Sequence, residues 1–148
     1  MNYPRRNCRQ PIRCIIISYG PVRKAVYGQI RQKKNVDIRI IELNIKTVQK
    51  LKEDKLNVVY GDALRLGILE EEGTIGAGFL ALTVQVEDGA EIIKRAKQLN
   101  PKMKVIARRD FFRGASTYKL AGADAVAIGE AELANRMAEK IGELMPKD

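Results

Sequence analysis

Apolar residues recur along this chain in two alternating rhythms. Short runs of consecutive aliphatics, such as Cys14-Ile15-Ile16-Ile17, are separated by longer stretches in which apolar positions return every three or four residues. The runs fit buried strands, and the longer stretches fit amphipathic helices. In chain order they predict strands over 13–18, 36–43, 57–60, 77–84, 103–107 and 124–128. Helices are predicted over 22–33, behind Asn44 as a cap, and over 64–72, 87–100, 114–121 and 130–145. The punctuation agrees. Pro21 suits a first helical turn, where its missing N–H is no loss, Gly73 and Gly122 close helices, and Pro101 stops one. The apolar stripes name the inner faces: Val22, Ala25, Val26 and Ile30 in the first helix, Ile45, Val48 and Leu51 in the second. In the fourth they are Ile92, Ile93, Ala96 and Leu99. In the last they are Leu133, Ala134, Met137, Ala138, Ile141 and Leu144.

Strand–helix alternation with apolar strands predicts an α/β domain whose parallel sheet is covered on both faces. Six such units give a Rossmann-like doubly wound sheet of order 3-2-1-4-5-6 over residues 12–148, with residues 1–11 as a basic tail or linker. Ligands of such sheets bind outside the carboxyl ends of the strands, where the strand order reverses. The strand ends near Gly20, Glu42, Gly61, Thr83 and Arg108 therefore converge on one crevice.

Composition narrows the chemistry. A chain of 148 residues can bury one proper core. Its longest apolar runs are too short to span a bilayer and no signal-peptide core is visible, so a cytoplasmic domain is expected. Histidine is absent, which removes imidazole bases, His-containing triads and most zinc sites. No other nucleophile–base constellation stands out, and an enzyme is not expected. Cys8 and Cys14 read as unpaired thiols of a reducing compartment. The net charge of +9 favours anionic partners. Part of it is concentrated in Arg5, Arg6, Arg9 and Arg13, a leader that suits a disordered arm, a linker or a juxtamembrane anchor to anionic lipid. Aromatic residues make up only 5% of the chain and are scattered, so no stacking groove for nucleic acid is expected.

The strand–turn–helix at Ser18-Tyr19-Gly20-Pro21-Val22-Arg23 is the start of a dinucleotide-binding unit, where helix N–H groups meet a phosphate. The pattern Gly-x-Gly-x-x-Gly keeps only its central glycine, Gly20. Ser18 stands at the first position. Arg23 stands at the third, where glycine normally lets the helix pack close. Arg23 either weakens the site or meets a phosphate directly. Glu42, about twenty residues past the turn, can accept hydrogen bonds from ribose hydroxyls and would repel a 2′-phosphate. Asp62 can meet an adenine edge or cap the helix that follows. Thr83 and Arg108 offer a hydroxyl and a guanidinium at the ends of the fourth and fifth strands. Arg109 is the alternative to Arg108, since strand alternation turns only one of the two toward the crevice.

An ordered set of short motifs then carries a resemblance. It comprises Ser18-Tyr19-Gly20-Pro21-Val22-Arg23, Ile41-Glu42-Leu43-Asn44, Val59-Tyr60-Gly61-Asp62-Ala63, Leu99-Asn100-Pro101, Ala107-Arg108 and Ala121-Gly122-Ala123-Asp124. Together they resemble the regulatory domain of potassium channels and transporters known as RCK N-terminal or TrkA-N, in particular the cytoplasmic domain of Kef-type monovalent cation:proton antiporters. The resemblance implies a domain binding NAD(H), AMP, ADP or ATP, assembled as a homodimer or larger ring and coupled to a membrane ion transporter. The transporter would be a separate subunit or part of the same chain, with the basic leader as linker. By position, Ser18, Tyr19, Gly20, Pro21, Val22 and Arg23 would surround the phosphates and Glu42 the ribose. Asp62 and Ala63 would border the adenosine and Arg108 would lie across the cleft, with Leu43 and Thr83 also among the binding residues.

Overall fold

The structure, a computed structural model, describes residues 9–18 and 20–148. Six strands, β1 (Ile12–Ile17), β2 (Val36–Glu42), β3 (Val58–Tyr60), β4 (Phe79–Leu82), β5 (Lys104–Arg109) and β6 (Ala125–Ile128), form one sheet. Its order is β3-β2-β1-β4-β5-β6, and every neighbouring pair is parallel. The doubly wound order expected from the alternation is therefore present. The helices are α1 (Pro21–Ile30), α2 (Ile45–Glu53), α3 (Leu66–Glu71), α4 (Gly89–Leu99), α5 (Ala115–Ala121) and α6 (Gly129–Leu144), with a 3-10 turn at Thr74–Gly76.

Strand alternation divides the core between the two faces. Ile15 and Ile17 of β1 join Leu69 of α3, Ile92, Ile93 and Ala96 of α4 and Tyr118 of α5 on the larger side. Cys14 and Ile16 point the other way, with Ile40, Val48, Leu51 and Val58. Burial pushes the Cys14 thiol up to about 11, so it stays protonated and behaves as a small apolar side chain. Cys8 lies outside the described residues.

The termini of the helices follow local rules. The Asn44 side chain accepts the N–H groups of Lys46 and Thr47, capping α2 as expected. Gly73 and Gly122 adopt left-handed backbone at the ends of α3 and α5, where a Cβ would be strained.

Three expectations about inner faces are corrected, the first at Ala25, which is exposed on α1 rather than turned to the sheet. Ile45 is half exposed, because as the first residue of α2 it lies above the core that Val48 and Leu51 enter. The apolar stripe of α6 faces outward: no residue of this helix is buried, and Leu133, Met137 and Ile141 are each more than half exposed. The helix follows the last edge strand, so the sheet has no further surface to offer it.

Candidate functional site

The carboxyl ends of β1 to β5 meet at the reversal of strand order between β1 and β4. Ser18 follows β1 and is fully buried. Its hydroxyl donates to Glu42 Oε2 at 3.3 Å, a long contact for an O–H donor. The other oxygen, Glu42 Oε1, accepts the Asn44 N–H at 2.9 Å. Glu42 is 1% exposed and takes part in no ion pair among the described residues. A carboxylate removed from water in this way needs strong donors, and only one of its oxygens has one. Serine at the first glycine position thus ties β1 to β2 through their ends.

Gly20 precedes α1 with φ of 163°, an extended backbone open to any residue. A Cβ added there would meet nothing within 4 Å. Neither backbone strain nor packing demands glycine, and the space over it is open. The first turn of α1 has Pro21 at its start, no side-chain cap and no acid. Its free N–H groups and positive dipole end suit an anion. Val22 is half-buried beneath that turn. Tyr19 lies outside the described residues.

A cavity of about 200 Å³ opens between Leu43, Asp62, Ala63, Leu64, Val86 and Asp88. Ile17 and Ile92 close its inner end. Asp62 accepts the Leu64 N–H at 2.9 Å, which folds the chain into a local turn rather than a helix cap, since α3 begins only at Leu66. The Arg95 guanidinium of α4 donates to the Leu64 carbonyl and steadies this rim. Sequence reasoning named Leu43, Asp62 and Ala63 here but missed Val86 and Asp88. Those two sit in the segment after β4, whose boundary an unbroken apolar run through Val84 conceals.

Thr83 is nearly buried, and its hydroxyl donates to the Ile17 carbonyl at 2.9 Å, joining β4 to β1. Arg108 reaches the same place: its Nη1 lies 3.4 Å from the Thr83 carbonyl and its Nε 2.8 Å from Asp110 Oδ1. Arg109 turns away, over the Tyr118 ring at 5.0 Å. Alternation along β5 thus selects Arg108 for the crevice side. Arg23 goes elsewhere: it lines a groove between α1 and α2 that shares no residue with the 200 Å³ cavity. The structure brings together Ser18, Glu42, Leu43, Asp62, Ala63, Thr83 and Arg108 around the strand ends and leaves Arg23 outside them.

Known proteins share this fold. The TrkA-N domain family matches residues 14–129. The putative cation/proton antiporter YbaL of Escherichia coli is 27% identical over 126 residues, which cover 84% of this chain and 22% of that protein. The chain therefore spans about a fifth of the curated relative it matches. The crystal structure of the TrkA-N domain of the E. coli inner membrane protein ybaL superposes with a TM-score of 0.78 at 26% identity, over 86% of this chain and 94% of that one. In fold alone, two further structures agree. The Shewanella denitrificans Kef CTD in its AMP-bound form has a TM-score of 0.74 at 23% identity, over 92% of this chain and 82% of that one. The GsuK channel bound to NAD has a TM-score of 0.71 at 18% identity, over 82% and 22%. The TrkA-N match runs from β1 to the start of α6, and this chain belongs to the TrkA-N domain family.

Proposed function

We propose that this domain is the cytoplasmic, non-enzymatic regulatory part of a potassium or cation:proton transport system, and that it gates transport by binding an adenine nucleotide or NAD(H). Its relation to a putative cation/proton antiporter and its structural likeness to an AMP-bound and an NAD-bound protein support the reading. One observation carries it: among the described residues Glu42 is a buried carboxylate without a cation, and its Oε2 has only the 3.3 Å contact with Ser18. Ribose hydroxyls would supply the donors it lacks. The open backbone at Gly20, with Ser18, Pro21 and Val22, would take the phosphate against the free first turn of α1. Leu43, Asp62 and Ala63 would border the adenine, and Thr83 and Arg108 would close the far wall. The cavity of about 200 Å³ lies below the range of about 300–1,000 Å³ of drug-sized sites and suits one nucleoside. A nucleotide that favours one arrangement of paired domains would bias the attached transporter by the difference in its affinity for the two states. The exposed stripe of α6 supports such pairing, because a second copy would remove from water a face that no other element covers among the described residues.

A thermal-shift panel of AMP, ADP, ATP, NAD, NADH and NADPH tests the proposal. A ligand at about a hundred times its Kd stabilises by about 2.7 kcal/mol, a shift of several degrees for a chain of this size. The expected result is a selective shift that Glu42→Ala abolishes, with NADPH inert. No shift with any of the six would overturn nucleotide sensing and leave an assembly role.

A further inference from the structure

The groove between α1 and α2 holds about 680 Å³ and is more than three times the size of the crevice cavity. It exists because α1 buries no residue, whereas α2 buries Val48 and Leu51. Arg23, at the position where a small residue normally lets the first helix close on the sheet, lines this groove. The Arg23 Nε is inaccessible to solvent and has no hydrogen-bond partner among the described residues.

Five cations line this groove: Arg23, Lys24 and Arg31 along one wall, Lys46 and Lys50 along the other. Asp54 is the single acid among the lining residues. None of the five enters an ion pair among the described residues, although Arg13, Arg39, Arg95, Lys97, Lys104, Arg108, Arg136 and Lys140 all do. Three of them, Arg23, Lys24 and Lys46, sit in first helical turns that contain no acid. A cation there opposes the helix dipole, a repulsion that an anion between the helices would reverse. The charges extend along the groove. Arg23 and Arg31 are about 12 Å apart along α1, and Lys46 and Lys50 about 6 Å along α2, at about 1.5 Å per residue.

We propose that the α1–α2 groove, which adjoins the nucleotide crevice at Gly20, is an anion site for the phosphoryl groups of a linear oligophosphate. Two facing rows of cations suit a chain of phosphates better than one isolated phosphate. Guanidinium and ammonium groups bind phosphoryl oxygens through charge-assisted hydrogen bonds, and the Arg23 Nε would gain the acceptor it lacks. The groove meets the crevice reading at Gly20, but none of its five cations belongs to that reading.

Calorimetric titration of the full chain with inorganic tripolyphosphate at physiological salt tests it. Saturable binding with one site per chain is expected, weakened at least about tenfold by Lys46→Glu with Lys50→Glu. The pair Lys94→Glu and Lys102→Glu makes the same charge change on exposed positions outside the groove and should leave the affinity within about twofold. Thermal melts verify that both doubles fold. Failure to bind, or equal weakening by both pairs, would overturn the proposal, the latter by showing diffuse attraction to a basic protein. Phosphatidylglycerol vesicles form the second arm. Tripolyphosphate binding without vesicle binding assigns the site to a soluble oligophosphate. Vesicle binding that needs Lys46 and Lys50 and is displaced by tripolyphosphate assigns the same phosphoryl site to lipid headgroups.

Discussion

At the scale of single residues, the motifs divide between building the frame and preparing the crevice. Asn100 belongs to the frame. Its amide donates to the carbonyls of Thr74 and Ala77 at 2.9 Å each, and its Oδ1 accepts the N–H groups of Lys102 and Met103 at 3.2 Å. One side chain thus clips the end of α4 to the entry of β4 and turns the chain into β5. Asn100→Ala strands these groups at a partly buried junction, and a loss of about 1–3 kcal/mol is expected. Thermal melting should fall by several degrees without changing the order of nucleotides in the ligand panel. Ser18 and Glu42 belong to the crevice. From sequence, both were identified as site positions, but not their contact, because that depends on Ile17 and Ile41 lying in register across β1 and β2. Arg23 shows the limit most clearly. The sequence leaves open a lost site or a direct phosphate contact, and the packing instead turns the side chain into a different groove.

At the scale of elements, the sheet was legible because each strand is a compact apolar run bounded by glycine, proline or asparagine. Its order followed from strict alternation and right-handed crossovers. The last helix was legible as a helix but not in its orientation. Periodicity shows that Leu133, Met137 and Ile141 share a face, and it does not show what that face meets. The structure leaves it in solvent, while Glu130 Oε2 holds the start of the helix by accepting the Phe112 N–H at 3.0 Å. A helix of 16 residues is about 24 Å long, enough for two copies to pack along a shared seam. If α6 is the pairing element, Met137→Glu with Ile141→Glu should convert a dimer to a monomer in light scattering. Neither side chain supports the core of its own domain, so melting of the monomer should stay nearly unchanged. A species of unaltered mass in the double variant would exclude α6 from the interface.

At the scale of the whole molecule, the charge balance sets an acid limit whose sign can be worked out. The chain carries 27 Lys and Arg against 18 Asp and Glu. Two acids are held ionised in the fold. Asp124 lies below its ordinary value of 3.8 chiefly through its hydrogen bond with Lys97, helped by the Val105 N–H and opposed by burial. Asp37 is also lowered: burial opposes ionisation, but the Arg13 hydrogen bond and the Arg39 charge outweigh it. Groups with lowered folded values contribute stability above their unfolded value and lose it as pH falls through the folded one. Glu72 has the opposite sign. Its burial raises it above 4.5 despite the nearby Arg39 and Arg13, so it is destabilising when charged and is relieved on protonation. Melting temperature should therefore hold, or rise slightly, as pH falls toward about 4.5 and then drop steeply below about 3.8. Asp124→Asn should flatten that drop, and Glu72→Gln should raise melting at neutral pH and remove the rise. Below the drop, the unopposed cations repel one another, so added salt should restore more stability at pH about 3 than at pH about 7. A melting curve indifferent to pH across this range would mean that the Lys97–Asp124 and Arg13–Asp37 pairs contribute nothing to the fold.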